Sequence, residues 1–120
     1  MSRRLVIKLT HGAEASEIMS SGLTVAATAA ASGTPVSLWL TAEATWLGVP
    51  GRADAVELEN SAPLADLLEA VLISGTVTVC TQCASRRGLT AADLLEGVRI
   101  AGAATFVEEV LHDDVSALVY

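Results

Sequence analysis

The sequence predicts an α/β domain built on a mostly parallel sheet, formed by residues 1–120 as a single unit. Three observations predict it. Short apolar runs alternate with helical segments along the chain, the pattern left by helices that cross between parallel strands. The strand runs are apolar at consecutive rather than alternate positions, as expected where both sheet faces are covered. The composition is 52% hydrophobic but only 3% aromatic, so Ala, Val and Leu make up the core, which suits Ala-rich helices packed on a buried sheet. A chain of 120 residues is an ordinary domain length and can bury a core without covalent staples.

Each element has a local reason. Arg3–Thr10 reads as the first strand, its stretch Leu5–Leu9 apolar except for Lys8, and His11–Ser16 as a loop. Glu17–Ser32 is an Ala-rich helix with Gly33 as its stop signal. Val36–Thr41 is the second strand, followed by a short helix over Glu43–Leu47 and the turn Gly48-Val49-Pro50-Gly51. Ser61 is the expected cap of the next helix, with Pro63 in its first turn, where a missing N–H costs nothing. Leu64, Leu67, Leu68, Val71 and Leu72 recur at helical spacing, and Gly75 ends the helix. Thr76–Cys80 is a short strand, apolar on both faces. Thr90-Ala91-Ala92-Asp93 has the form of a capping box ahead of a short helix Ala91–Glu96. A fourth strand lies near Val98–Ala101, the last helix over Ala103–His112 with Phe106, Val107, Val110 and Leu111 on one side, and a fifth strand over Ser116–Tyr120.

Composition also excludes functions. A formal net charge of −7 and a pI near 4.6 leave no basic stripe to neutralise nucleic-acid phosphates or to lie on an anionic membrane. A mean hydropathy of +0.52 rules out disorder. The longest uncharged run, Ile18–Ala42, breaks at Gly33-Thr34-Pro35, so no transmembrane helix is expected. The apolar N-terminal run is too short for a signal peptide, and two cysteines cannot form a secreted disulfide scaffold. A cytoplasmic protein is the expectation. No phosphate-binding loop, dinucleotide fingerprint or nucleophile elbow is written in the chain, and no cofactor is expected.

In open parallel sheets, ligands bind beyond the carboxyl ends of the strands. The residues there are Thr10–Glu14, Thr41–Glu43, Cys80–Cys83 and Ala101-Gly102. Cys80-Thr81-Gln82-Cys83 is the sharpest feature, with Arg86-Arg87-Gly88 just downstream. One C-x-x-C with two scattered histidines lacks the second half of a zinc site, so no metal is expected. A thioredoxin-type dithiol would sit after an early strand and want a later cis-proline, yet no proline follows Pro63. A third reading is a nucleophilic thiol or persulfide carrier. A Cys ending a strand faces the amide groups of the next turn, which, with Arg86 and Arg87 nearby, favour the thiolate. A buried core cysteine is the bland alternative. His11 is either a general base or a loop residue, Glu43 is a site candidate by position, and His112 suits a helix end. Trp39 is expected in the core and Trp46 as a pocket wall or subunit contact. Gly22, Ala26, Ala29 and Ala30 form a small-residue stripe that packs on the sheet or on another subunit.

The segment Thr76–Leu89, TVTVCTQCASRRGL, resembles the active-site segment of the DsrE/DsrF-like family: an apolar strand ending in Cys, then five residues, then Arg-Arg-Gly. The opening LVIKLTHGAEASE and the step Leu40-Thr41-Ala42-Glu43 are similar too, so the resemblance spans essentially the whole chain. It implies a three-layer α/β/α sandwich with a five-stranded parallel sheet, in a family whose members form trimers, hexamers or hetero-hexamers, so a homotrimer or homohexamer is the expectation. In TusD-like sulfur-relay members, the cysteine matching Cys80 carries a persulfide between proteins. Cys83 departs from those members and matches stand-alone, peroxiredoxin-like relatives. The resulting expectation is a thiol protein that transfers sulfur or redox equivalents through Cys80, with Cys83 resolving. His11, Glu43, Gln82, Arg86 and Arg87 support the site, and the partner is a sulfur donor or acceptor protein or a small thiol. The alternative is a non-catalytic oligomeric binding module of the same fold.

Overall fold

A computed structural model describes residues 3–120. Five strands, β1 (Arg4–Leu9), β2 (Val36–Leu40), β3 (Thr76–Cys80), β4 (Val98–Ala101) and β5 (Val115–Val119), form one sheet in the order β4-β3-β2-β1-β5. All four pairings are parallel. The helices are α1 (Ser16–Ala31), α2 (Leu64–Ser74), α3 (Thr81–Arg86) and α4 (Ala103–Val110), with 3-10 segments at Ala13–Ala15, Ala42–Gly48 and Ala91–Asp93.

The chain steps from β1 to β4 in one direction and then returns across the whole sheet to β5. Right-handed crossovers put the return on the opposite face from the outward steps. This explains why α1 and α2 share one face while α4 stands alone on the other. The α1/α2 face is apolar across the inner strands: Ile7, Leu9, Val36, Leu38, Leu40, Val77 and Val79 are buried with Leu23, Leu68 and Val71 of the helices. The small-residue stripe packs within the chain, since Ala26 and Ala30 are buried and Gly22 lies so close to Leu9 that a Cβ would come within 2.2 Å of it.

The α4 face differs. Parallel partners share a face, so the register groups Lys8, Trp39, Thr78 and Arg99 there, with Cys80 and Ala101 one step on. The strand β3, expected to be apolar on both faces, carries Thr78 on this one, where its hydroxyl accepts a hydrogen bond from Arg99 Nε. No residue of α4 is fully buried. The carboxylate of Glu109 fastens the helix by accepting from Ser37 Oγ (2.6 Å), from Trp39 Nε1 (3.2 Å) and from Arg99. Phe106 stacks edge-on against Trp39 at 5.3 Å. Of the apolar side expected for this helix, Phe106 and Val110 are half-buried, but Val107 (49%) and Leu111 (74%) face outward.

Three local readings shift. The helix α2 starts at Leu64 with Pro63 in extended backbone at its N-cap, and Ser61 does not cap it. The residue before a proline is held out of the helical region, so Ala62 blocks an earlier start, and Ser61 pairs instead with Ser20 Oγ of α1. The segment Thr81–Arg86, carrying no long apolar period, folds into the additional helix α3. The expected helix over Ala91–Glu96 is a single 3-10 turn, though its Thr90/Asp93 capping box is formed.

Candidate functional site

The strand β3 delivers Cys80 to the carboxyl edge of the sheet, and α3 begins at once, making Cys80 its N-cap and Cys83 its third residue. Cys80 is half-buried and Cys83 buried, and both are free thiols. Cys80 lines a cavity of about 60 Å³ with Lys8, Trp39, Thr41, Ala103 and Phe106. Burial pushes its thiol pKa up, but the backbone N–H groups of Cys83 and Gln82, the Cys83 thiol and the Lys8 charge outweigh that, so the thiol is held below its ordinary value. A thiolate is thereby favoured at a small, mostly apolar pocket, the state in which a cysteine attacks sulfur.

The positive charge that acts on Cys80 is that of Lys8, whose Nζ sits 5.3 Å from the centre of the Phe106 ring. The downstream arginines, expected from the sequence to fill that role, lie elsewhere. Arg86 is exposed and makes no hydrogen bond or ion pair among the described residues. Arg87 instead builds the loop, donating to the Cys83 carbonyl (3.1 Å) and pairing with Glu43 Oε2 (2.8 Å). That pairing holds the Glu43 carboxyl below its usual value, reinforced by Trp46 and Arg52. Gln82 acts through its backbone N–H, and its side chain is exposed. His11 is tied to Thr10, Nδ1 to Oγ1 at 3.0 Å, and does not line the Cys80 cavity. Thr41, whose hydroxyl donates to the Leu9 carbonyl, does.

Cys83 faces the loop after β2. Its Sγ accepts the Ala42 N–H at 3.2 Å, and Ala42 holds φ +49°, a left-handed conformation unusual for a residue with a side chain. Gly12 packs against the same loop: a Cβ there would lie 2.4 Å from the Glu43 carbonyl oxygen. Ala42 and Glu43 thus link the three loops after β1, β2 and β3. Lys8, Trp39 and Phe106 join the site without having been expected there. Their one sequence signal is Lys8, a charge set between apolar residues of β1, whose other charge, Arg4, begins the strand. Among the described residues, no three His, Cys, Asp or Glu side chains cluster as metal ligands, and no helix is long and apolar enough to cross a membrane.

A family model described as the DsrE/DsrF-like family matches residues 3–115. No curated protein matches the chain. Among solved structures, the chain is similar to the ychN protein from E. coli, with a TM-score of 0.81 and 21% identity over 98% of this chain and 99% of that one. It is also similar to MTH1491 from Methanobacterium thermoautotrophicum, a protein of unknown function (TM-score 0.68, 13% identity, 99% and 100% covered). A third likeness is to BT1422 from Bacteroides thetaiotaomicron, a conserved protein of unknown function (TM-score 0.58, 13% identity, 97% and 94% covered). At these identities the likenesses speak for the fold: the five-stranded parallel sheet flanked by helices.

Proposed function

This chain belongs to the DsrE/DsrF-like family, and we propose that within it the protein is a cytoplasmic sulfur-transfer or thiol-redox protein acting through Cys80. The observation that carries this reading is a half-buried thiol, held below its ordinary pKa, that lines a cavity of about 60 Å³ together with Lys8. The cavity admits a sulfur atom and little more, which suits a terminal sulfane sulfur on a persulfide. The Cys80 thiolate attacks that sulfur, the donor's S–S bond breaks, the donor leaves as a thiolate, and Cys80 holds the persulfide. Lys8 stabilises the anion before and after transfer.

Intact-mass measurement after incubation with a small-molecule persulfide tests this. A gain of about 32 mass units that Cys80→Ser abolishes is expected. No gain, or the same gain in Cys80→Ser, overturns it. Cys83 is proposed as the resolving thiol because it lies close enough to lower the Cys80 pKa. A Cys80–Cys83 disulfide would appear as a loss of about two mass units on oxidation.

One observation favours assembly as well. Val107, Leu111 and Val119 (66% exposed) lie on α4, just beyond it and on the edge strand β5. Exposed apolar side chains of this kind mark contact surfaces. We propose that copies of this chain meet there as a homotrimer or homohexamer. Val107→Lys with Leu111→Lys should give a monomer in sedimentation. A wild-type chain already monomeric at micromolar concentration overturns the proposal.

A further inference from the structure

A second cavity, of about 210 Å³, opens at the carboxyl ends of β1 and β2 and involves neither cysteine. Its floor is apolar, formed by Met19 of α1 with Leu47, Ala55 and Val56, and one wall is the Trp46 ring. The Arg52 guanidinium lies 4.2 Å from the centre of that ring. A guanidinium over an aromatic face is attracted by the ring and still has N–H groups to offer a carboxylate, which an Arg can bind at two points.

Two carboxylates also line the cavity, and both are engaged. Glu43 is paired with Arg87 at 2.8 Å. Glu14 turns back onto the Gly12 N–H. Arg52 makes no hydrogen bond or ion pair among the described residues. Among the described residues, Arg52 is therefore the one cation lining the cavity and has no ion-pair partner, with Glu14 and the Arg87-paired Glu43 as the anions around it. At about 30 Å³ of liquid volume per water, the space corresponds to about seven waters, enough for a body of about six to eight heavy atoms.

We propose that this cavity binds a small organic acid, its carboxylate on Arg52 and its apolar body over Met19, Leu47 and Val56 beside Trp46. The site is independent of the sulfur chemistry assigned to Cys80. It nonetheless shares a wall with it, because the Ala42–Gly48 segment contributes Ala42 to Cys83 and Trp46 to the cavity.

The test uses the whole chain labelled with ¹⁵N, hexanoate as probe, and the two indole N–H signals assigned with Trp46→Phe. Hexanoate should shift the Trp46 signal saturably and leave Trp39 in place. Arg52→Gln should weaken the binding about tenfold, the loss expected for one charge-assisted contact, and hexylammonium should not bind. The proposal is overturned if hexanoate gives no saturable shift, if Arg52→Gln binds it equally well, or if hexylammonium binds as tightly. Cys80→Ser should bind hexanoate like the wild type, so failure at one site is distinguishable from failure at the other.

Discussion

Replacing Glu109 is the sharpest test of how the α4 face is held. Its carboxylate accepts from Ser37, Trp39 and Arg99. Glu109→Ala leaves the Trp39 N–H, on a buried ring, without a partner, at a cost of about 1–3 kcal/mol. The Ser37 hydroxyl is half-buried and can turn to water. Arg99, 41% exposed, rehydrates, and its ion pair with Glu109 is worth at most about 1 kcal/mol. The expected loss is therefore about 1–4 kcal/mol, read from urea unfolding at pH 7 followed by tryptophan fluorescence. Glu109→Gln keeps an oxygen for Ser37 and Trp39 but offers nothing to Arg99, so about 1 kcal/mol is expected. The sign of the pH dependence follows from the environment. Partial burial raises the Glu109 pKa, but the bonds from Ser37, Trp39 and Arg99 outweigh it and hold the carboxyl below its usual value. A depressed carboxyl contributes stability above its unfolded pKa, about 4.3, and loses it as pH falls through the lower folded value. The gap between wild type and Glu109→Gln should close over that acid range. A loss under about 1 kcal/mol in Glu109→Ala, or a gap that does not change with pH, refutes the reasoning.

Other perturbations follow from the same geometry. Lys8→Met should move the pH midpoint of Cys80 alkylation upward, whereas Arg86→Gln should leave it in place; the reverse order would make the arginine, not the lysine, the charge that favours the thiolate. Gly12→Ala forces a Cβ to within 2.4 Å of the Glu43 carbonyl. It should cost about 1–3 kcal/mol in denaturant unfolding and change Cys83 reactivity, because the displaced loop also holds Ala42. Ala42→Gly relieves the left-handed φ of +49°. It should be stabilising by about 0.5–1 kcal/mol, and a melting temperature below wild type would contradict that.

Most elements are legible in the sequence because the strands of this sheet have local signatures and α1 and α2 end at glycine stops. Thr76–Cys80 reads at its true bounds since β-branched residues bounded by Gly75 leave little freedom. Less is legible where function depends on pairing between distant strands. Lys8 and Trp39 meet Cys80 only through the register of β1, β2 and β3, information that no local window carries. The Arg-Arg pair looks electrostatic in sequence, but α3 turns Arg87 onto Glu43 and Arg86 into solvent. The helix α3 itself escapes a sequence reading because its six residues are too few to show a period.

The asymmetry between the two sheet faces ties these observations together. The α1/α2 face excludes every charge, whereas the other carries Lys8, Ser37, Trp39, Thr78, Cys80 and Arg99 under a single eight-residue helix. A helix that short cannot seal a five-stranded sheet, so the thiol keeps a mouth and apolar residues stay exposed beside it. Val119 lies on β5 directly opposite Lys8 in register, and Val107 follows Phe106, which lines the cavity. Any body that covers Val107 and Val119 therefore borders the entrance to Cys80. In the proposed assembly, contact and thiol access are then coupled, and the Val107→Lys, Leu111→Lys pair should raise the alkylation rate of Cys80 as well as shift sedimentation to the monomer. A dissociated variant whose Cys80 reacts no faster than in the wild type would show that the contact surface lies clear of the thiol.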